Sequence, residues 1–284
     1  MHAPANPVDL ILMAILQGLT ELFPVSSLGH SVLVPAVLHW NIDRQALWFL
    51  PFLVVLHLGT AGALLLYFRR EWIALIGGGL RQVTGHGSSP EAQRLWLLVV
   101  GTVPAGLVGL ILEHRLRHLF GDARLVAVAL AANGLVLLLG DWLHRRRGGH
   151  GSARLNFVRA AWVGLAQTAA LIPGFSRSGT TLVAGLGAGL SYADAAEFSF
   201  LLGTPIIGAA GLLEVPKLFH DSLVTGGEIG WIVACGLLAG FFAYVSTAFL
   251  MRYFRGHEIR ALRPFALYCV LAGIGALALL ATLV

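Results

Sequence analysis

Charge is scarce in this 284-residue sequence: Asp, Glu, Lys and Arg together make up 12%. A soluble domain carries about a quarter, so the deficit argues against a water-facing globule. Cysteine is nearly absent too. Cys235 and Cys269 both lie inside apolar runs, where they read as packing residues and carry no information on redox compartment. No cleavable signal peptide is expected: 1–7 has no basic n-region, and the first apolar stretch holds Gln17 and Glu21. Low-complexity segments are also lacking, and only 85–90 and 145–152 read as linkers. The net charge of +5 does not point to nucleic acid, because the positive residues sit in short loops between apolar runs.

Those runs are what the sequence has in abundance. Hydrophobic residues make up 57% and the mean hydropathy is +0.80. Six stretches, 47–68, 95–112, 123–143, 195–213, 231–251 and 265–284, are long enough to cross about 30 Å of hydrocarbon as helices. Gly and Pro recur inside them, as membrane helices tolerate. The fold class is therefore an all-α polytopic membrane protein with about six transmembrane helices. Trp40, Trp48, Trp72, Trp142 and Trp231 fit an interfacial aromatic belt.

Two further apolar stretches are interrupted. Residues 8–40 break at "FPVSSLGH" and 157–190 at "IPGFSRSGTT". Each reads as two half-length helices meeting at a polar turn, a re-entrant helical hairpin. Irregular backbone at membrane depth survives only where protein buries it or water lines it. The hairpins also resemble each other. A shift of 150 aligns Gln17 with Gln167, Ser26 with Ser176 and Gly29 with Gly179, whereas a shift of 149 aligns Pro24 with Pro173 and Ser27 with Ser176. Each hairpin precedes three spans, so a single membrane domain is expected as two repeats, 1–143 and 157–284. Lys and Arg number four in 69–94, five in 143–159 and four in 252–264, thirteen against five at Arg44, Arg115, Arg117, Arg124 and Lys217. The positive-inside rule puts the thirteen in the cytoplasm. Three spans per half then invert the second repeat, and paired broken helices in inverted halves point to a site near the midplane.

Gln17 and Glu21 are four apart and share one helix face. An ionisable residue at that depth is functional by default, although a neutral, hydrogen-bonded Glu21 is the alternative. A carboxylate beside a neutral amide suits a hard divalent cation, Mg or Ca, which takes oxygen ligands. Ser26, Ser27, Gly29 and His30 open the next half-helix, whose N-terminus favours phosphate. Ser27 with His30 three residues on makes a nucleophile–base pair; plain capping by Ser26 or Ser27 is the competing reading. In the second hairpin, Ser176, Arg177, Ser178, Thr180 and Thr181 crowd one glycine turn. Arg177 is the one Lys or Arg outside the loop groups. Its forked donors suit phosphate, and an ion pair with Glu21 is compatible with that. His57 lies mid-span and either lines the cavity or packs as a polar residue. Glu197 and Ser199 sit near a helix start, where capping or dipole pairing accounts for Glu197. Asp141 and the run 144–147 read as an interface with a cytoplasmic anchor.

With "QGLTELFPVSSLGH", "PGFSRSGTT", "EFSFLL" at 197–202 and "PFALY" at 264–268, the chain resembles the bacterial undecaprenyl-diphosphate phosphatase family associated with bacitracin resistance. The motifs span nearly the whole chain in the right order. The resemblance implies a divalent-metal-dependent phosphatase of the cytoplasmic membrane. Its active site opens to the outer (periplasmic) side, it returns the lipid carrier to cell-wall synthesis, and it forms a homodimer. Two positions depart from the family pattern: His57 stands where Gln is usual and Cys269 where Arg is common.

The mechanism expected from these residues has Arg177 and a cation near Glu21 and Gln17 binding the diphosphate. Ser27 attacks the terminal phosphorus with His30 as base, while Ser26, Ser176, Ser178 and Thr181 supply hydrogen bonds. Water activated by Glu21 or His30, or transfer to His30 itself, stays open as an alternative. Two rival functions compete. An acid-phosphatase-type lipid phosphatase requires a histidine shortly after the "SR" arginine, and "RSGTTLVAGL" has none. A lipid-phosphate flippase would use the same inverted-repeat site without a nucleophile.

Overall fold

The structure, a computed structural model, describes residues 6–40, 42–44, 46–146, 151, 154–220, 226–257 and 259–282. Among them the regular secondary structure is helical throughout. Helix α1 (Pro7–Thr20) starts where the Asn6 side chain accepts from the Val8 N–H at 3.0 Å and proline takes the first helical position. After a turn comes α2 (Ser27–Val37), capped by Ser26, whose hydroxyl accepts from the Gly29 N–H at 3.1 Å. Four longer elements follow: α3 (Phe49–Tyr67), α4 (Arg69–Val83), α5 (Pro90–Leu119) and α6 (Ala123–Arg146).

The second half starts as the first does. Asn156 caps α7 (Phe157–Gln167), a 3-10 turn spans Thr168–Leu171, and Ser176 caps α8 (Arg177–Gly187), its hydroxyl accepting from the Gly179 N–H at 3.1 Å. The caps Asn6 and Asn156, and Ser26 and Ser176, are each 150 apart, and α2 and α8 are both 11 residues long. The register is therefore 150. Then come α9 (Tyr192–His220), α10 (Gly226–Gly256) and α11 (Arg263–Thr282).

Among the described residues, six helices are long and apolar enough to cross a membrane: α3, α6 and α11 entire, with Pro90–Leu112, Tyr192–Leu218 and Ile229–Gly256 of α5, α9 and α10. They coincide with the six predicted runs to within a few residues. Residues 69–94, counted above as one basic loop, instead hold α4 and the start of α5. Asp141 faces the protein and not solvent. It is buried, accepting from the Tyr192 hydroxyl and from the Leu262 N–H at 3.2 Å, and His144 is buried against the Tyr192 ring at 4.6 Å. Arg146 lies over Trp142 at 4.0 Å; Arg147 lies outside the described residues.

Packing runs across the halves: α3 against α9 and α10, α6 against α11, α1 against α10 and α7 against α5. Between apolar helices in lipid the hydrophobic effect supplies no pull, so close backbone approach does. A Cβ on Gly59 would lie 1.8 Å from the Gly236 carbonyl oxygen, and one on Gly134 would lie 2.6 Å from that of Ala266. These glycines let α3 meet α10 and α6 meet α11. Both cysteines are free and buried, as packing residues are.

Candidate active site

The two broken segments bring their turns together in the protein interior. Gly174 donates its N–H to the Ser26 hydroxyl at 3.2 Å, and the Gly29 position lies against the Gly174 Cα. Asn133 of α6 bridges them: its Nδ2 donates to the Pro24 carbonyl at 3.0 Å and its Oδ1 accepts from the Ser176 N–H at 3.0 Å. Cys269 sits beside this bridge, 3.4 Å from Asn133 Nδ2. Ser178 Oγ donates to the Phe23 carbonyl at 3.1 Å, and Ser176 Oγ lies 3.1 Å from it.

This docking places the starts of α2 and α8 side by side, with Ser27 and Arg177 as their first residues. Glu21, at the end of α1, joins the two. Its Oε1 accepts from Arg177 Nε at 3.3 Å and Nη2 at 3.2 Å. Its Oε2 accepts from Ser27 Oγ, from Gln17 Nε2 at 3.1 Å and from His57 Nε2 at 3.2 Å. Buried charge is tolerated only when paired and hydrogen-bonded, and here one carboxylate has donors from four side chains on four elements. Arg177 Nη1 donates to the Ser199 carbonyl at 3.0 Å. Three of the five guanidinium N–H groups are thus committed and two are left for a ligand.

These groups open into a cavity of about 260 Å³. Glu21, Ser26, Ser27, His57, Gln167, Ser176 and Arg177 form its polar end, while Leu50, Leu53, Leu110, Phe120, Ile206 and Leu213 line a mostly apolar remainder that also holds Glu214. A hydroxyl and a guanidinium share the wall with a carboxylate hydrogen-bonded to both. That combination can hold a phosphoryl group, deprotonate an attacking oxygen and exclude bulk water.

Gln17, Glu21, Ser26, Ser27, Ser176 and Arg177 therefore come together as the sequence spacing suggested. Others among the expected residues face elsewhere. His30 Nδ1 is 2.7 Å from the Ser26 carbonyl and Nε2 is 2.6 Å from the Tyr268 hydroxyl, so the hydrogen-bond partner of Ser27 is Glu21. Thr181 Oγ1 donates to the Arg177 carbonyl at 2.7 Å and meets Ser199 Oγ at 2.7 Å, bracing the start of α8. Glu197 pairs with Arg94 at 2.6 Å, beyond the local capping expected of it. His57 belongs with the cavity wall; its Nδ1 is held 2.7 Å from the Leu53 carbonyl. Asn133 and Tyr268 were not singled out in the sequence. Asn133, a lone amide inside an apolar run, is the one that carried a signal.

The implied divalent cation can be tested against this donor set. Among the described residues no three His, Cys, Asp or Glu side chains cluster as a ready metal site. Gln17 Oε1, however, is buried without a hydrogen-bond partner, one residue-turn from the Glu21 carboxylate. Those two oxygens fit a hard cation that takes its remaining ligands from phosphate and water, the usual habit of Mg.

The family model described as bacitracin resistance protein BacA matches residues 10–275. An undecaprenyl-diphosphatase 2 of Chromobacterium violaceum is 56% identical over 95% of this chain and 97% of its own length. One from Burkholderia thailandensis is 55% identical over 93% and 94%, and an undecaprenyl-diphosphatase 1 of Burkholderia pseudomallei is 54% identical over 93% and 94%.

Proposed function

The chain belongs to the bacitracin resistance protein BacA family, and from that premise we infer that it is an integral membrane phosphatase. It hydrolyses undecaprenyl diphosphate to the monophosphate and phosphate, recycling the lipid carrier for cell-wall synthesis and contributing to bacitracin resistance. The identity of the relatives over nearly the whole chain carries this reading. The wall formed by Ser27, Glu21 and Arg177 supplies a chemistry for it.

In the mechanism we propose, the diphosphate enters the polar end of the cavity and its prenyl tail leaves sideways along the apolar lining into lipid. Arg177 offers its two uncommitted N–H groups to the terminal phosphate while Glu21 holds its other edge. Ser27 Oγ forms the bond to the terminal phosphorus as its proton passes to Glu21 Oε2. The bridging P–O bond breaks and its electron pair departs with the lipid monophosphate, an anion that needs no strong acid to leave. Water then attacks the phosphoserine, giving its proton to Glu21 as Glu21 returns the first to Ser27 Oγ. His30, with Ser26 and Tyr268 as its partners, positions the start of α2. Ser176, Ser178 and Thr181 hold the start of α8. A divalent cation on Glu21 and Gln17 would supply charge neutralisation of the diphosphate.

The finer topology is also part of the proposal. The hairpins α1–α2 and α7–α8 enter from opposite faces of a bacterial cytoplasmic membrane, and the cavity opens on the outer side. Half-length helices support this, since 11 residues rise only about 16 Å. The loop charges support it as well. The resemblance implies a homodimer, which light scattering in detergent would detect.

The test is phosphate release from undecaprenyl diphosphate by purified protein, comparing wild type with Ser27→Ala and Arg177→Ala, with Mg or Ca and with chelator. Cation-dependent release lost in both variants is the expected result. Wild-type rates in Ser27→Ala would remove Ser27 as nucleophile, and no release by wild type would overturn the enzyme.

A further inference from the structure

Helix α4 displays a face that nothing among the described residues covers. Its buried side, Leu75, Gly78 and Gly79, packs on the first turns of α5, where a Cβ on Gly78 would touch Ala92 N and Glu91, and one on Gly79 would strike Leu95. The opposite side carries Ile73, Ile76, Leu80 and Val83, at 73%, 49%, 62% and 74% exposure. Their spacing of three, four and three places all four on one stripe. Beside that stripe, roughly a quarter-turn round the helix, stand Arg70 and Arg81, both exposed, and Arg69 opens the helix. Four bared aliphatics in a row are not a surface for water.

Three observations identify the cover as lipid. First, the stripe continues from a membrane-facing surface: Leu65 and Leu66 at the end of α3 are 45% and 57% exposed, and Trp96 and Val99 of α5 are 39% and 41% exposed. Second, α4 joins two spans with no room for depth. It begins at Arg69 directly after α3 ends at Tyr67, and only 84–89 separates it from α5. Third, the polar flank has one sign: three arginines against the lone Glu71. An apolar stripe with a basic flank is the pattern of a helix lying in the plane of the bilayer surface, and the flank's charge complements anionic headgroups.

We propose that α4 is an in-plane interfacial helix whose Ile73–Ile76–Leu80–Val83 stripe sits among acyl chains while Arg70 and Arg81 bind anionic phospholipid headgroups. It lies on the face of the molecule that carries most of the Lys and Arg, away from the cavity mouth. The site is independent of Ser27, Glu21 and Arg177.

Spin labels at Ile73→Cys, Ile76→Cys and Leu80→Cys in nanodiscs test the stripe. Accessibility to oxygen with protection from a water-soluble nickel chelate is expected at all three, and the reverse at Gly77→Cys on the polar flank. Accessibility to nickel along the stripe would overturn the proposal. So would protection from both probes, which marks a protein cover such as a second copy. Native mass spectrometry of full-length protein with phosphatidylglycerol and phosphatidylcholine tests the flank. Wild type should prefer phosphatidylglycerol, and Arg70→Gln with Arg81→Gln should cut that preference about five-fold per charge. An unchanged preference would overturn it. Phosphate release by the double variant in detergent, expected at the wild-type rate, controls for folding.

Discussion

A single carboxylate holds the candidate site together, and the consequences can be followed one side chain at a time. Glu21 accepts from Ser27, Gln17, His57 and Arg177, so each substitution among them removes a different job. Ser27→Ala removes the attacking oxygen and should lower kcat about a thousand-fold or more, with no phosphoserine trapped by acid quench. Glu21→Gln keeps the shape but loses the base, and a drop of about 10²–10⁴ in kcat is expected. His57 separates two roles. His57→Gln can still donate to Glu21 and should stay within a few-fold of wild type. His57→Leu loses a hydrogen bond to a charged group, worth about 1.5–3 kcal/mol, and should lose about ten- to a hundred-fold in kcat with KM little changed. Equal losses in both would show that the imidazole does more than donate. Gln17, Glu21, Ser27 and Arg177 were legible in the sequence because polar groups stand out against oil. The His57–Glu21 contact was not, because it joins α3 to α1 and no spacing encodes that. The direction of His30 toward Tyr268, 238 residues away, was hidden for the same reason.

Among elements, the recurrent device is a helix start aimed at a partner turn. Gly174 has φ +110°, and a Cβ there would lie 2.6 Å from both the Ala129 Cβ and the Val126 carbonyl oxygen. Gly174→Ala therefore meets backbone strain and a clash with α6 together, and should cost about 1–3 kcal/mol. Asn133→Ala leaves the Ser176 N–H without its partner, at about 1–3 kcal/mol for a buried group, and leaves the Pro24 carbonyl with the Cys269 thiol at 3.7 Å. Thermal unfolding in detergent should register both as lower Tm, and phosphate release should fall with them, because the turns hold Ser27 and Arg177 in register. Unchanged Tm in both would show the turns to be independently stable. The six spans and the two broken stretches were readable from hydropathy and from Gly, Pro and Ser interruptions. Helix α4 was not: its arginines and its Gly77–Gly79 run resemble a loop and hide the helical spacing of Ile73, Ile76, Leu80 and Val83.

At the scale of the whole molecule, the cavity has a direction. Along α3 it runs from His57 at the polar end to Leu50, and along α9 from Ile206 to Glu214, rises of about 10–12 Å. Leu50, Leu110, Phe120 and Glu214 are its far members on four stretches of chain. All four lie toward the helix ends that carry Arg115, Arg124 and Lys217 and the loop that carries Arg44, the minority of the positive charge. Those of the thirteen other charges that fall among the described residues stand at the opposite end, so the topology proposed above, with that end in the cytoplasm, places the mouth on the outer side. This is a property of the assembled chain, since neither the charge count nor the cavity alone fixes a side. Two engineered cysteines separate the possibilities. Leu213→Cys, at the mouth, should react with a membrane-impermeant maleimide added to intact spheroplasts, while Arg81→Cys should react only after lysis. Cys235 and Cys269 are buried and leave a low background. Labelling at Arg81→Cys but not Leu213→Cys in intact cells would invert the topology. The diphosphate would then have to be hydrolysed on the cytoplasmic face, and the charge argument would fail for this chain.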